Sequence, residues 1–403
     1  MKNILKYKKE ILSLLSLVLI FFIARKGKER YIFDIFLMLI TLILIKKDKI
    51  KLNKYLGFFL IGYVVLVSFS FMKTQIVEIE YFLDCIIYSY TTFLILSQME
   101  LKEKFYKNYL VIFSICTLIF TIKSVEIWYE TGFRPNYRSF LHGYPTIISI
   151  ETGIYVLICF ISTIYSKKMS EKIISFICFF ISIIALISVN SRNSLMIIPI
   201  IILGILILKY GKKLKIKYFI GIIVVSGVLF QQLDIDRYFS RIEKTLKIEN
   251  LKKETRIKIW KYGIEKFKEN DYKPLGYRYF EENKIKVIPN EENPHLHNTF
   301  LEILVTQGYL ALIFYISFNI FLLKEMIKKI KTTEIESQKV MNFLTISVLI
   351  FYNLSGLVDA NIYFKKVNLL VYFLYALALC NIEKDKNDSH SLKLGVKNEN
   401  FSS

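Results

Sequence analysis

The sequence predicts an all-α polytopic membrane protein of about twelve transmembrane helices, with one long extracytoplasmic loop that contains amphipathic helices. The 403-residue chain is 54% hydrophobic and 15% aromatic, which exceeds the apolar content of soluble globular domains. Its apolar residues form long runs separated by short Lys-rich stretches, the arrangement typical of a multi-span membrane protein. The runs are continuous rather than alternating and therefore indicate helices rather than barrel strands. A disordered chain and a soluble two-domain enzyme are excluded.

Twelve apolar segments are candidates for membrane spans. Several are shorter than the ~20 residues that a perpendicular helix needs to cross a bilayer, so the expected number of spans lies between ten and twelve. The predicted spans are 11–24, 31–45, 55–72, 79–97, 105–122, 145–165, 173–189, 194–208, 218–233, 309–323, 340–357 and 362–380.

The net charge of +21 is explained by membrane topology. When the N-terminus is placed in the cytoplasm, Lys and Arg concentrate in the short loops and tails of the cytoplasmic face, as the positive-inside rule requires. The long segment 231–297 is exempt from that rule because long loops are translocated largely regardless of charge. We therefore expect both termini in the cytoplasm and no nucleic-acid partner.

The spans divide the chain into four parts. Residues 1–230 contain transmembrane helices 1–9, and 231–297 form the long extracytoplasmic loop. A re-entrant helix and helices 10–12 occupy 298–381, and the polar segment 382–403 is predicted to be a disordered cytoplasmic tail. All five cysteines fall inside apolar segments without CxxC spacing, which indicates buried thiols rather than disulfides or a zinc site.

The long loop contains apolar residues at helical spacing between 241 and 267, which predicts one or two amphipathic helices lying on the membrane surface. Pro274-Leu275-Gly276 ends this helical region. The apolar residues of the pattern are Ile242, Leu246, Ile257, Trp260, Ile264 and Phe267.

The loop closes with a histidine in front of a predicted helix. Thr299-Phe300-Leu301-Glu302 has the pattern of a capping box with Thr299 as N-cap, and Gly308 is the expected C-cap. His297 thus lies two residues before a helix start, where the helix dipole disfavours imidazolium. A neutral imidazole suits a proton acceptor. The alternative is a histidine that is simply hydrogen-bonded within a loop.

No metal site and no cofactor are predicted. His295 and His297 form an HxH pair that Glu291 or Glu292 would complete, but the sequence offers no third His or Cys at ligand spacing. Arg192, in Asn190-Ser191-Arg192-Asn193, follows a predicted span on the same external face. It is either a functional residue or an arginine that anchors a helix end by snorkelling.

His297-Asn298, followed by nine residues and Gly308, resembles the H[NSQ]x9G signature of the O-antigen ligase and O-antigen polymerase family of bacterial envelope proteins. The signature stands at the end of the largest external loop, as in that family. The third residue after Gly308 is Ala311, where the family often has Gly, Thr or Tyr.

Two arginines extend the resemblance, which is sharpest over 190–312. Arg192 is similar to the family's arginine at the outer end of an earlier helix. Arg256-x3-Trp260, followed by Pro274-Leu275-Gly276, resembles the arginine and the P-L-G turn of the family's long loop.

The resemblance implies glycosyl transfer at the outer face of the bacterial inner membrane, without nucleotide sugar or metal. The donor would be a glycan on undecaprenyl diphosphate. The acceptor would be lipid A-core for a ligase or a second lipid-linked repeat for a polymerase. The family's catalytic residues would correspond to His297, Arg256 and Arg192, with Asn298, Trp260 and His295 binding substrate. Guanidinium groups suit a diphosphate leaving group because they bind phosphate oxygens bidentately and stay charged.

Several alternatives remain open at this point. His297 either accepts a proton or holds the diphosphate. Chain length and the signature spacing favour a ligase over a polymerase, and transfer to a protein acceptor would use the same residues. A flippase or transporter would need charged residues along a central path. The candidates within the bundle are the acids Asp34, Asp84 and Glu151, whereas the residues of the motifs gather on one face.

Overall fold

The computed structural model describes most of the third to the eighth and the tenth to the twelfth predicted segments, together with the closing part of the long loop. The predicted spans at 11–24, 31–45 and 218–233 and the tail from 384 onward lie outside the described residues. The described residues are 53–73, 82, 85–86, 88–98, 100–130, 145–189, 191–211, 255–288 and 291–383.

The described part is a helical bundle with a few very short strands. Glu100–Lys102 pairs in parallel with Asn381–Glu383, and Ile285–Ile288 pairs antiparallel with Glu291–Asn293. A 3-10 turn, Asn361–Tyr363, precedes the last helix. The helices are α1 (Lys54–Phe71), α2 (Tyr88–Leu96), α3 (Glu103–Glu130), α4 (Pro145–Tyr165), α5 (Met169–Val189), α6 (Arg192–Tyr210), α7 (Thr255–Glu269), α8 (Tyr279–Glu282), α9 (Thr299–Gln307), α10 (Tyr309–Thr332), α11 (Glu336–Ser355) and α12 (Lys365–Leu379); the strands are β1 (Glu100–Lys102), β2 (Ile285–Ile288), β3 (Glu291–Asn293) and β4 (Asn381–Glu383).

Six helices in the described ranges are long and apolar enough to cross a membrane. The helix predicted at 145–165 has those bounds, beginning at Pro145 because proline is favoured in the first helical turn. The predicted total of about twelve spans is not established by these six. Residues 382 and 383, predicted to belong to the disordered tail, instead lie in β4. The six candidate spans are Lys54–Phe71, Tyr109–Glu126, Thr146–Tyr165, Met169–Val189, Asn193–Tyr210 and Tyr309–Thr332.

The bundle is layered around two buried helices. α12 is buried continuously from Val367 to Leu379, and α4 is buried over 148–162. Several other helices expose large apolar side chains along one side, which is the pattern of helices that face lipid. Among these side chains are Phe58 and Phe69 of α1, Phe176 and Phe180 of α5, Met196 and Ile200 of α6, and Leu310 and Ile313 of α10.

Contacts group the helix ends into two sets. At one end Asn193 Nδ2 donates to the Ser355 carbonyl at 3.3 Å, and the Thr299 N–H donates to the Gly356 carbonyl at 2.7 Å. We call this the site end, because it gathers the starts of α6 and α9 and the end of α11.

The opposite end carries lysine side chains that donate to helix-terminal carbonyls. Lys329 Nζ donates to the carbonyl of Leu379 and, at 2.8 Å, to that of Cys380. Lys209 donates to the carbonyl of Ile164. Lysines at this end agree in sign with the positive-inside rule, and its assignment to the cytoplasm remains a prediction of the sequence.

The contact between α4 and α11 leaves no room for a methyl group at Gly153. A Cβ at that position would lie 2.5 Å from Cζ of Phe351, and the Phe351 side chain is fully buried. We expect Gly153→Ala to destabilise the protein by about 1–3 kcal/mol through overpacking. The midpoint of thermal unfolding of the detergent-purified protein should fall by a few degrees.

Gly204→Ala is the matched control, because a Cβ at this helical glycine would meet no atom of the described residues within 4 Å apart from the adjoining backbone of its own helix. Alanine is the better helix former, so this variant should be at least as stable as the wild type. Equal unfolding midpoints for the two variants would contradict the packing described here.

Candidate functional site

The His-Asn-x9-Gly spacing corresponds to one short helix with a cap at each end. The nine residues are α9, and Asn298 is the N-cap, its Oδ1 accepting from the Leu301 N–H at 3.0 Å. Gly308 ends the helix with φ at 96°, a conformation that side chains disfavour. His297 therefore stands two residues before the helix start, as predicted.

The predicted capping box is wrong in its register. Thr299 is the first helical residue rather than the N-cap, because Asn298 serves equally well as a cap and the Thr299 hydroxyl is engaged elsewhere. That hydroxyl donates to the Asp359 carbonyl and accepts from the Asn361 N–H, each at 2.9 Å. Glu302 accordingly has a different partner from the one that the capping box implies.

The Pro274-Leu275-Gly276 turn closes the other end of α9. The N–H groups of Leu275 and Gly276 donate to the carbonyls of Val305 and Thr306, at 3.0 and 2.9 Å. The last carbonyls of a helix lack partners within the helix, and this turn supplies them. The Pro-Leu-Gly turn and the helix of the His-Asn-x9-Gly signature are thus in direct contact.

Leu296 lies between the two histidines, and its backbone N–H, its carbonyl and its side chain all contact other elements. Its N–H donates to Glu302 Oε2 at 2.7 Å, and its carbonyl accepts from Trp260 Nε1 at 2.9 Å. The buried side chain packs so closely on Gly263 that a Cβ there would lie 2.5 Å from its Cδ2. The backbone between His295 and His297 is therefore fixed.

A helix is present over part of the range of the predicted amphipathic helix, and its buried side differs from the predicted one. α7 begins at Thr255, and 241–254 lie outside the described residues. Ile259, Gly263 and Phe267 form its buried side, whereas Ile264, predicted to belong to the apolar side, is 39% exposed. The difference arises because α7 packs on Leu296 and α9, a tertiary contact that the helical pattern does not reveal.

His295 and His297 both face the carboxylate of Asp359. His297 Nδ1 and His295 Nε2 each lie 3.6 Å from Asp359 Oδ1, and the two ring centroids are 4.2 Å apart. His297 Nε2 lies 3.4 Å from Asn293 Oδ1. His297 has a φ of 50°, a left-handed conformation that costs free energy in a non-glycine residue.

Asp359 is the site residue that sequence reasoning missed. It lies between α11 and the 3-10 turn, is 1% exposed, and its Oδ1 accepts from the Ala360 N–H at 2.9 Å. The available signal was a lone acid in a short external connection between two apolar segments. An ionisable residue in that position is a functional candidate by default.

The ionisation of the site follows from burial and from these contacts. Burial raises the pKa of the Asp359 carboxyl, but the two imidazoles facing it lower the pKa by more, so the carboxyl is ionised. Burial lowers the pKa of His295 in spite of Asp359. Burial likewise raises the pKa of Glu302 to about 7, against hydrogen bonds from Leu296 and Tyr363 that lower it.

The two predicted arginines each lie in the first turn of a helix. Arg256 is the second residue of α7 and half-buried; it lies one turn before Trp260 and hence on the same side of the helix. Arg192 is the first residue of α6, so its backbone lies at the site end.

Asn298 and Trp260, both predicted to bind substrate, make structural hydrogen bonds. The Asn298 amide caps α9 through its oxygen and donates through Nδ2 to the Leu357 carbonyl at 2.9 Å. The Trp260 indole N–H is engaged by Leu296. Within the described structure their contacts position the loop that carries the histidines.

Comparison with protein families gives a match for residues 177–316, to the family described as O-antigen ligase. The segment 177–316 is therefore similar to the O-antigen ligase family. The matched segment runs from within α5 into α10 and includes Arg192, Arg256, His297 and Gly308. A comparison with curated proteins finds no significant match.

This match supports a function of the O-antigen ligase or polymerase type, which involves lipid-linked glycans at a bilayer. Asp359 and α12 lie outside the matched segment. They nevertheless contribute to the same centre, because Asp359 faces both histidines of the domain.

Glu302 makes the free energy of unfolding of the protein depend on pH. Its folded-state pKa, about 7, lies above the ordinary value of 4.5. Its contribution to the free energy of unfolding is therefore fully present below about pH 4.5 and is lost as pH rises through 7. The full loss amounts to about 3 kcal/mol. We expect Glu302→Gln, which cannot ionise, to show a smaller fall in thermal unfolding midpoint between pH 5 and pH 8.

Glu265→Gln is the control, since Glu265 is an exposed glutamate of α7 and its replacement should keep the wild-type pH dependence. The explanation fails if Glu302→Gln and the wild type lose stability with the same slope over this range.

Proposed function

We infer that this protein is a glycosyltransferase of the bacterial inner membrane that transfers a glycan from undecaprenyl diphosphate to a hydroxyl of lipid A-core at the outer face. The O-antigen ligase domain supports the reaction class. The observation that carries the mechanism is the buried Asp359 carboxylate facing Nδ1 of His297 at 3.6 Å. It supports a role for His297 as proton acceptor.

The carboxylate favours the tautomer of His297 that carries its proton on Nδ1. The same logic orients the histidine of Ser-His-Asp hydrolases. Nε2 is then the basic nitrogen, and it belongs to a side chain that is 25% exposed. Hydrogen bonds of catalytic groups are often long in the free enzyme and shorten when substrate binds, so 3.6 Å is compatible with this role.

The reaction proceeds by direct displacement. His297 Nε2 accepts the proton of the acceptor hydroxyl while the hydroxyl oxygen forms a bond to the anomeric carbon. The bond from that carbon to the diphosphate oxygen breaks, and its electron pair leaves with undecaprenyl diphosphate. One displacement inverts the anomeric configuration, and no metal takes part in the proposed steps.

The leaving diphosphate gains negative charge as the anomeric bond breaks, and we assign its stabilisation to Arg256 and Arg192. Arg256 lies on the side of α7 that contacts the histidine loop, and Arg192 begins a helix, whose N–H groups also favour anions. Loss of one such preorganised donor costs ~10²–10³ in rate.

Replacement of the proton acceptor should abolish transfer without unfolding the enzyme. We expect His297→Gln to lower the rate by ~10²–10⁴, because glutamine keeps polarity at the position but cannot accept a proton at neutral pH. The measurement is transfer from purified lipid-linked glycan to lipid A-core in detergent, with membrane abundance and unfolding midpoint measured in parallel.

His390→Gln, in the C-terminal segment, is the matched control and should retain the wild-type rate. Full activity of His297→Gln would refute the assignment. The surface glycolipid of a strain lacking the gene identifies the acceptor: core without glycan supports a ligase, core with a single repeat supports a polymerase, and an unchanged ladder contradicts both.

Asp359 should act on the rate through His297, as a positioning residue. We expect Asp359→Asn to lower kcat by ~10² or more, since an amide no longer enforces the required tautomer. The KM for the lipid-linked donor should change little, because Asp359 does not hold the donor in the proposed mechanism. Steady-state kinetics on the purified enzyme separate the two constants.

Asp271→Asn removes a highly exposed aspartate from the same protein and controls for a general effect of charge. A rise in KM at unchanged kcat for Asp359→Asn would show that Asp359 serves donor binding and would contradict its positioning role.

A further inference from the structure

The two histidines and the aspartate of the site have the composition and spacing of a metal site. Each residue offers one ligand atom, and the ligand atoms of His295, His297 and Asp359 all lie within 4.8 Å of one another. We call these three residues the His-His-Asp triad. Two imidazole nitrogens and one carboxylate oxygen form a ligand set that zinc accepts, as in catalytic zinc sites with one open position.

The distances within the triad leave room for an intervening ion in the free enzyme. Both imidazole nitrogens lie 3.6 Å from Asp359 Oδ1, whereas N–H···O hydrogen bonds measure 2.7–3.2 Å. Nitrogen and oxygen ligands at 2.0–2.1 Å from a tetrahedral zinc are about 3.4 Å apart. The triad is therefore spaced for a zinc ion with only small adjustments of the side chains.

Two polar atoms of the triad are buried without a hydrogen-bond partner among the described residues. They are His297 Nδ1 and Asp359 Oδ2. Buried polar groups in native proteins nearly always have partners, because an unsatisfied one is costly. An ion bound at the triad would give His297 Nδ1 a partner, and bidentate coordination by Asp359 would engage Oδ2 as well. These unpartnered atoms are an observation independent of the ligand spacing.

The surroundings of the triad are rigid and still accessible. Asp359 Oδ1 accepts from the Ala360 N–H, and the Asp359 carbonyl accepts from Thr299, while Leu296 fixes the backbone between the histidines. Such outer contacts hold metal ligands in place. The side chains of His295 and His297 are 19% and 25% exposed, so an ion can reach them from solvent.

We propose that the His-His-Asp triad reversibly binds one Zn²⁺ ion and that the zinc-bound enzyme is inactive. Zinc bound at Nδ1 of His297 takes the position of the proton that Asp359 orients, and its charge lowers the basicity of Nε2. The inhibitory part rests on the proposed function, whereas zinc binding does not. Mg²⁺ and Ca²⁺ prefer all-oxygen ligands and are not expected to bind.

The first test is direct binding to the full-length chain purified in detergent. Zn²⁺ is titrated in competition with a chromophoric chelator, and Co²⁺ is then substituted so that the visible absorption reports tetrahedral coordination. We expect one equivalent of Zn²⁺ per chain, unaffected by excess Mg²⁺. His295→Ala should weaken binding at least about tenfold, the low end of what loss of even an outer-shell contact costs, and His390→Ala should bind like the wild type.

Asp359→Asn tests the carboxylate ligand, and His295→Ala keeps the test valid if the buried aspartate proves necessary for folding. Size-exclusion chromatography and thermal unfolding verify the fold of each variant. The site is refuted if the wild type binds no zinc, or if His295→Ala binds zinc as tightly as the wild type.

The second test measures glycan transfer by the wild-type enzyme as Zn²⁺ is added and then removed with a chelator. Loss of activity at the concentrations that fill the triad, with recovery after chelation, is the expected result. Zinc binding without inhibition would overturn the inhibitory part and leave the site intact. Zinc binding by a chain that shows no transferase activity would count against the proposed function alone.

Discussion

The hydrogen bonds that hold Leu296 connect the long loop to the bundle and fix the position of both histidines. The Leu296 N–H is bound by Glu302, one turn inside α9, and its carbonyl by Trp260 on α7. These two contacts help to hold His297 in its left-handed backbone conformation, which costs free energy in a non-glycine residue. The helix that supplies Glu302 is itself fixed at both ends, by Asn298 and by the turn at 274–276.

This arrangement explains why a site at a membrane surface needs so much of the bundle. The carboxylate that faces the histidines comes from the connection between α11 and α12, and α12 is the most completely buried helix of the described structure. Asn361, next to that connection, donates to the Tyr352 carbonyl and to Ser355 Oγ at 2.7 and 2.8 Å. The loop carrying Asp359 is therefore attached to the core, which is the rigidity that a positioned catalytic pair requires.

The parts of this architecture that sequence could predict are those set by local patterns. Continuous apolar runs gave the positions of α1, α4 and α10, and the spacing of His297 and Gly308 predicted a short helix between them. Local patterns failed where two local solutions were equally good. Asn298 and Thr299 are both acceptable N-caps, and only the contact of Thr299 with Asp359 decides between them.

Long-range contacts were beyond the sequence for the same reason. Asp359 and Thr299 are 60 residues apart in the chain and are joined by a hydrogen bond. No periodicity within either segment predicts this contact. The apolar side of α7 was likewise predicted to lie on the membrane surface, whereas the buried side of this helix packs on Leu296. In both cases the deciding partner lies on another element, so a single sequence offers candidate residues but not their pairing.

The charges of the site indicate different roles for its histidines and its arginines. With Asp359 ionised and His295 neutral, the centre around His297 is anionic or neutral and does not attract a diphosphate. An anionic donor must therefore be bound by separate cations, which is the role that the proposed mechanism assigns to Arg256 and Arg192. Proton transfer and anion binding are thereby assigned to different residues, with Asp359 orienting the imidazole of His297 for proton transfer.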